Sequence, residues 1–88
     1  MSAKSYKPGH NGIKLVLGKD VLIWDNSEGK SDCNVYDCQP ALENDKYSIP
    51  KGTAVAANVK NKTDPKGQTY KYDCGVLRPK TDPKLIVV

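Results

Sequence analysis

Three cysteines and one histidine are the residues of this chain best equipped for chemistry, and their spacing restricts what that chemistry can be. Cys33-Asn34-Val35-Tyr36-Asp37-Cys38 places four residues between thiols, where redox and zinc motifs place two. With Cys74 and His10 these thiols supply the atom types of a zinc site, but at scattered positions. An odd number of cysteines allows one disulfide with one free thiol, three free thiols, or a metal site one ligand short. Nucleophilic catalysis needs a thiol or hydroxyl beside a positioned base. The only imidazole, His10, sits in a glycine-punctuated segment before the first strand pattern, so no enzyme is expected.

Acidic side chains cluster at Asp20, Asp25, Glu28, Asp32, Asp37, Glu43 and Asp45, as solvated turns usually do. The stretch Asp25 to Asp32 misses the calcium-loop pattern: Gly29 stands fifth where the sixth position is required, and no Glu closes the loop. Basic and aromatic residues interleave at Tyr70-Lys71-Tyr72, with Lys60, Lys62, Lys66, Arg78, Lys80 and Lys84 nearby. Such a surface could stack a base and hold a phosphate. In a strand, however, Tyr70 and Tyr72 point to the same side, the one that normally forms the core, and Lys71 to the other. Trp24, at the end of an apolar run, is open to the same two readings: a platform for a ligand or a core residue.

The elements that position these groups must come from 88 residues, which form one domain. A chain of this length buries about 60 to 65% of the surface its unfolded form exposes. With no Phe and one Trp, the interior falls to Val, Ile, Leu and five Tyr, a β-leaning set. Charge is segregated along the chain: residues 1 to 19 hold four Lys and no acid, residues 20 to 45 hold seven acids against Lys30 alone, and residues 46 to 88 hold nine bases against three acids. An antiparallel fold can interleave such blocks and cancel them. No apolar run is long enough for a membrane span or for the core of a secretory signal, so a soluble chain is expected, cytoplasmic by default and secreted if a signal has been removed.

Residues 1 to 12, with Pro8-Gly9 and Asn11-Gly12, are expected to be a flexible arm, leaving 13–88 as the folded unit. Ile13–Leu17 and Val21–Trp24 read as short strands around Gly18-Lys19-Asp20, either as a hairpin or on different sheets. A strand at Asn34 to Tyr36 and a helical turn around Pro40 to Glu43 are weaker expectations. Tyr47-Ser48-Ile49 leads into a Pro50-Lys51-Gly52 turn, and Thr53–Lys60 forms a longer strand with Thr53, Val55, Ala57 and Val59 on one face. Lys-Thr-Asp-Pro-Lys occurs at 62–66 and again at 80–84, each time before a strand pattern, as a reused turn signal.

In this order the elements resemble a cupredoxin-like sandwich. Val21-Leu22-Ile23-Trp24-Asp25-Asn26 is similar to the family's strand entering a ligand-bearing loop, and Tyr47-Ser48-Ile49-Pro50-Lys51-Gly52-Thr53 to its Pro-Gly turn. Gly67-Gln68-Thr69-Tyr70-Lys71-Tyr72-Asp73-Cys74 is similar to its Gly-x-Tyr-x-Tyr-x-Cys strand, and Lys84–Val88 to its last strand. Small copper-free bacterial members ending on Asp-Pro and an aliphatic strand look closest. The resemblance puts Cys74 where the copper thiolate would be. Neither the loop after Cys74 nor the loop after Trp24 contains a His, whereas blue copper needs two imidazoles. It also places the loop after Trp24 beside Cys74, which implies a disulfide from Cys33 or Cys38 to Cys74.

The expectation is therefore an all-β fold, a small Greek-key β-sandwich that is cupredoxin-like or immunoglobulin-like. Its expected role is a non-enzymatic binding module without cofactor, for another protein or a small ligand. The residues proposed to meet a partner are Tyr70, Lys71, Tyr72, Arg78, Lys80 and Trp24. Single-stranded nucleic acid is the alternative partner, and a metal site on Cys74, Cys33 and Cys38 the alternative chemistry. No membrane partner is expected.

Overall fold

The computed structural model describes residues 2–75 and 82–88. Those residues form nine strands and no helix: β1 (Ser2–Tyr6), β2 (Ile13–Leu15), β3 (Asp20–Asp25), β4 (Cys33–Tyr36), β5 (Tyr47–Ile49), β6 (Ala54–Asn58), β7 (Gln68–Thr69), β8 (Lys71–Asp73) and β9 (Lys84–Val87). The fold is all-β, with sheets of mixed type. Three ladders form, ordered β1-β3-β6, β2-β9-β7 and β5-β4-β8. β1 runs parallel to β3 and β2 parallel to β9, while the remaining pairs are antiparallel. Tyr70 alone separates β7 from β8, so one extended segment pairs first with β9 and then with β4, tying two ladders together.

Strand periodicity accounts for the core. In β3, Asp20, Leu22 and Trp24 are buried and alternate with half-exposed Val21, Ile23 and Asp25, as a period-2 element with one inward face requires. Ile13 and Leu15 of β2, Val35 of β4, Ile49 of β5, Ala57 of β6 and Leu85 and Val87 of β9 join them in one cluster. Leu42 enters it from a turn, closed by its N–H donating to Cys38 O at 2.9 Å and containing a cis Gln39–Pro40 peptide; the helical turn expected around Pro40 to Glu43 is a non-helical one. Ile13–Leu15 and the strand after Gly18 belong to different ladders and do not form a hairpin. The first Lys-Thr-Asp-Pro-Lys copy makes a turn, with Gly67 N–H donating to Asp64 O at 2.8 Å; the second begins outside the described residues.

The expected arm over residues 1 to 12 is corrected here. Ser2–Tyr6 is a strand, registered from Ser2 opposite Asp20 to Tyr6 opposite Trp24. Its residues lack an apolar alternation because it is an outer strand held chiefly by backbone hydrogen bonds. Lys4 Nζ lies 3.2 Å from Asp20 Oδ2 and reinforces the register. The Val16 N–H donated to the Asp20 carboxylate at 2.7 Å, with Lys4 second, holds that carboxyl below its usual range. The segment after β1 is fastened too: Tyr70 Oη accepts from Gly9 N–H at 3.0 Å and donates to His10 O at 2.8 Å. Gly9 has φ +94° and lies against the Tyr72 ring, so a side chain there has neither the backbone conformation nor the space.

Tyr70→Phe should cost about 1–2 kcal/mol, since the ring stays packed while two part-buried backbone groups lose their partner. Urea denaturation measures that loss, and hydrogen exchange should show Gly9 losing protection before the rest of the fold. Unchanged exchange at Gly9 would contradict this fastening.

The segregated charges interleave. Each of the three ion pairs among the described residues joins the acidic block to a basic one: Lys4 to Asp20, Lys60 to Glu43 at 3.8 Å and Lys71 to Asp37 at 3.9 Å.

Candidate functional site: a cavity over the disulfide

The antiparallel register between β4 and β8 sets Asn34 opposite Asp73, which makes Cys33 and Cys74 the next cross-strand pair. They are joined in a disulfide with Cα atoms 4.1 Å apart. Cys38 lies beyond the far end of β4, roughly 10 Å or more along the chain at about 3.3 Å per strand residue, and is a buried free thiol. Burial, with Asp45 and Asp37 adding to it, pushes that thiol up to about 12. The metal set of Cys74, Cys33 and Cys38 is therefore corrected: two of its sulfurs are bonded to each other, and the third is at the other end of the strand. His10 stands apart as well, packed against the Tyr6 ring at 4.9 Å.

Above the disulfide is a cavity of about 240 Å³. The loop from Asp25 to Ser31 supplies most of its lining, joined by Lys7 and Pro8 and by Cys33 and Cys74. Asn26 shapes this loop. Only 5% exposed, it donates from Nδ2 to Ser31 O at 2.9 Å and to Ile49 O at 3.0 Å. Its carbonyl accepts from Gly29 N–H and Gly52 N–H, both at 3.0 Å, and its own N–H donates to Thr53 O at 2.9 Å. The loop thus folds back on one buried amide. Gly29 is needed for the same reason, because a Cβ there would collide with Asn26 Oδ1.

Charges of both signs surround the opening: Lys7 and Lys30 on one hand, Asp25 and Glu28 on the other. Ser27, through its side chain and then its N–H at 2.9 Å from Oδ1, lowers the Asp25 carboxyl, and Lys7 adds to the effect. Asp25 is a fixed anion at the rim. Together these features make a recess walled by a loop that a buried amide fixes, lined by the disulfide cysteines and by side chains of both signs.

The residues expected to meet a partner are not gathered at this cavity. Trp24 and Tyr70 are fully buried, with ring centroids 5.3 Å apart, so neither is a surface platform; alternation along β3 and along the β7–β8 segment turns both inward. Tyr72 is half-buried against Gly9. Lys71 is exposed on the opposite face beside Asp37. Arg78 and Lys80 lie outside the described residues. Asn26, Gly29 and Lys7 are not among the residues expected to meet a partner, because Asp-Asn-Ser-Glu-Gly reads as a solvated loop; the signal toward the loop residues is the resemblance, which marks the stretch after Trp24 as a ligand-bearing loop beside Cys74.

Asn26→Ala should destabilise by about 2 kcal/mol, because two carbonyls are left without their donor and one of them is buried. The urea midpoint at pH 7 checks this. A change within about 0.5 kcal/mol, the range of ordinary surface substitutions, would show the loop is not held by that amide.

Comparison of this chain with protein-family models, with curated proteins and with solved structures yields no match.

Proposed function

We propose that this chain is a non-enzymatic binding module built on a copper-free cupredoxin-like β-sandwich, and that it receives its ligand or partner at the disulfide end. The observation that carries the reading is the cavity over Cys33–Cys74, whose wall is a loop fixed by a buried amide. A prearranged recess is what a binding module needs, since little ordering entropy is then lost on association. The strand order supports the sandwich: β2-β9-(β7–β8)-β4-β5 reads as one layer and β1-β3-β6 as its partner. The parallel pairs β1/β3 and β2/β9 favour a cupredoxin-like arrangement over the antiparallel sheets of immunoglobulin domains. The copper-free part is supported by the bond itself, because a sulfur tied up in a disulfide is not the thiolate that blue copper requires.

A screen of small polar fragments by two-dimensional amide NMR tests the reading. Binders are expected to move the signals of Asn26 to Ser31 and of Cys74. Fragments that shift other regions only, or a screen without binders, would sink it.

Single-stranded nucleic acid is a second reading, favoured by Lys14, Lys62, Lys66 and Lys84, which make no ion pair among the described residues, Lys14 standing opposite Ile86 in the register of β2 with β9. Tyr70 in the core removes one of the two rings that would stack bases. Oligonucleotide binding that falls steeply between 50 and 200 mM salt would support this reading, at about one unit of log–log slope per phosphate contact. No binding at low salt would remove it.

A further inference from the structure

Two of the residues lining the cavity, Cys33 and Cys74, share a covalent bond that can be exchanged. From its position we infer that the Cys33–Cys74 disulfide is a reaction site for small zwitterionic thiols of the cysteine type, with attack directed to Cys74. This rests on the reading that the disulfide end receives a small ligand, and adds to it a reaction at the sulfurs; binding without exchange would overturn the inference and leave that reading standing.

Both cysteines line the cavity, but their exposure differs. Cys33 is 3% exposed, while Cys74, which follows β8, is only half-buried. An entering thiolate therefore meets Cys74 first. In the exchange, the thiolate sulfur bonds to Cys74 Sγ, the Sγ–Sγ bond breaks, and Cys33 leaves as a thiolate. Cys33 then takes a proton from water. An acceptor already stands by: Ser31 O is 3.9 Å from Cys33 Sγ, within reach of a reduced S–H although the oxidised sulfur has no proton to donate. A second equivalent of the same thiol can attack the mixed disulfide, releasing Cys74 as a thiolate and forming the small-molecule disulfide. The electrons thus come from two thiols, and no other reductant is required.

Internal competition is blocked by the strand. Cys38, the only other thiol, is buried beyond the far end of β4 and held protonated, so the native fold does not bring it to the cross-link. The attacking thiol must come from outside.

Size and charge define which thiol. A volume of about 240 Å³ is many times the roughly 10–15 Å³ that a single water needs, space for an amino-acid or short-peptide thiol. Lys7 and Lys30 offer cations to carboxylates, and Asp25 and Glu28 offer carboxylates to an ammonium. A zwitterion satisfies both signs at once, whereas a neutral thiol uses neither.

The test uses the full chain in its oxidised form, without denaturant, at 150 mM salt to screen the overall charge. Reduced glutathione and 2-mercaptoethanol are compared at equal thiolate concentration, with acid quenching and peptide mapping by mass spectrometry. The expected result is a mixed disulfide on Cys74, formed about tenfold faster with glutathione after allowance for intrinsic nucleophilicity. Lys7→Ala with Lys30→Ala, both outside the core, should bring the two rates together. Adducts on Cys33, equal rates in the parent protein, or exchange only where Trp24 fluorescence reports unfolding would each overturn the inference.

Discussion

Replacing Cys33 and Cys74 together by serine is expected to lower the unfolding free energy by about 4 kcal/mol, close to the value chain entropy assigns to a closed loop of this length. The bond spans a sequence separation of 41, enclosing β5, β6, β7 and β8. Without it the unfolded chain regains the freedom that the cross-link denies it, and the native β4–β8 pairing must be held by its three registered residue pairs alone. For a domain of this size the whole stability is about 4–13 kcal/mol, so the variant should be partly unfolded at 37 °C. Urea denaturation of the double variant, with Cys38→Ala as a comparison that leaves the cross-link intact, measures the effect. Retention of stability to within about 1 kcal/mol, well under the usual contribution of a disulfide, or three titratable thiols in the native protein before reduction, would show that the bond does not form.

The same bond shows where sequence patterns carry information and where they stop. Cys33 and Cys38 both adjoin an Asp, and nothing local distinguishes them. The choice is made by a long-range register, Asn34 opposite Asp73, which no window of residues contains. β3 was legible because Leu22 and Trp24 alternate with Val21 and Ile23 at the strand period. β1 was not, because Ser2–Tyr6 contributes little to the core and depends on parallel pairing with a strand fourteen or more residues later. The cavity wall was hidden for a related reason. A polar loop that folds over its own buried Asn26 has the composition of one that faces water, and only the donor–acceptor pattern separates them. The interleaving of acidic and basic blocks was open to sequence reasoning, but its partners were not: strand pairing sets Lys4 against Asp20 and Lys71 against Asp37.

Trp24 provides the sharpest test of whether an aromatic residue in this chain serves packing or recognition. It is fully buried against Tyr70, and its Nε1 has no hydrogen-bond acceptor among the described residues. Trp24→Ala should therefore cost about 3–5 kcal/mol, the lost transfer energy together with the cavity left behind. Trp24→Phe should be far milder. The smaller ring loses contacts, yet it also removes a buried donor whose lack of a partner costs about 1–3 kcal/mol, so the two effects oppose each other and the net change should fall under about 1.5 kcal/mol. Because Trp24 is the single tryptophan of the chain, its emission reports its own surroundings: blue-shifted in the native state and shifting red at the same urea concentration as the loss of β circular dichroism. A residue kept for contact with a partner would show the reverse pattern, red emission in the free protein and an alanine variant as stable as its parent. Equal losses for the Phe and Ala variants would instead mean that the indole N–H is bonded, and that burial of the ring alone does not account for its place between β1 and β6.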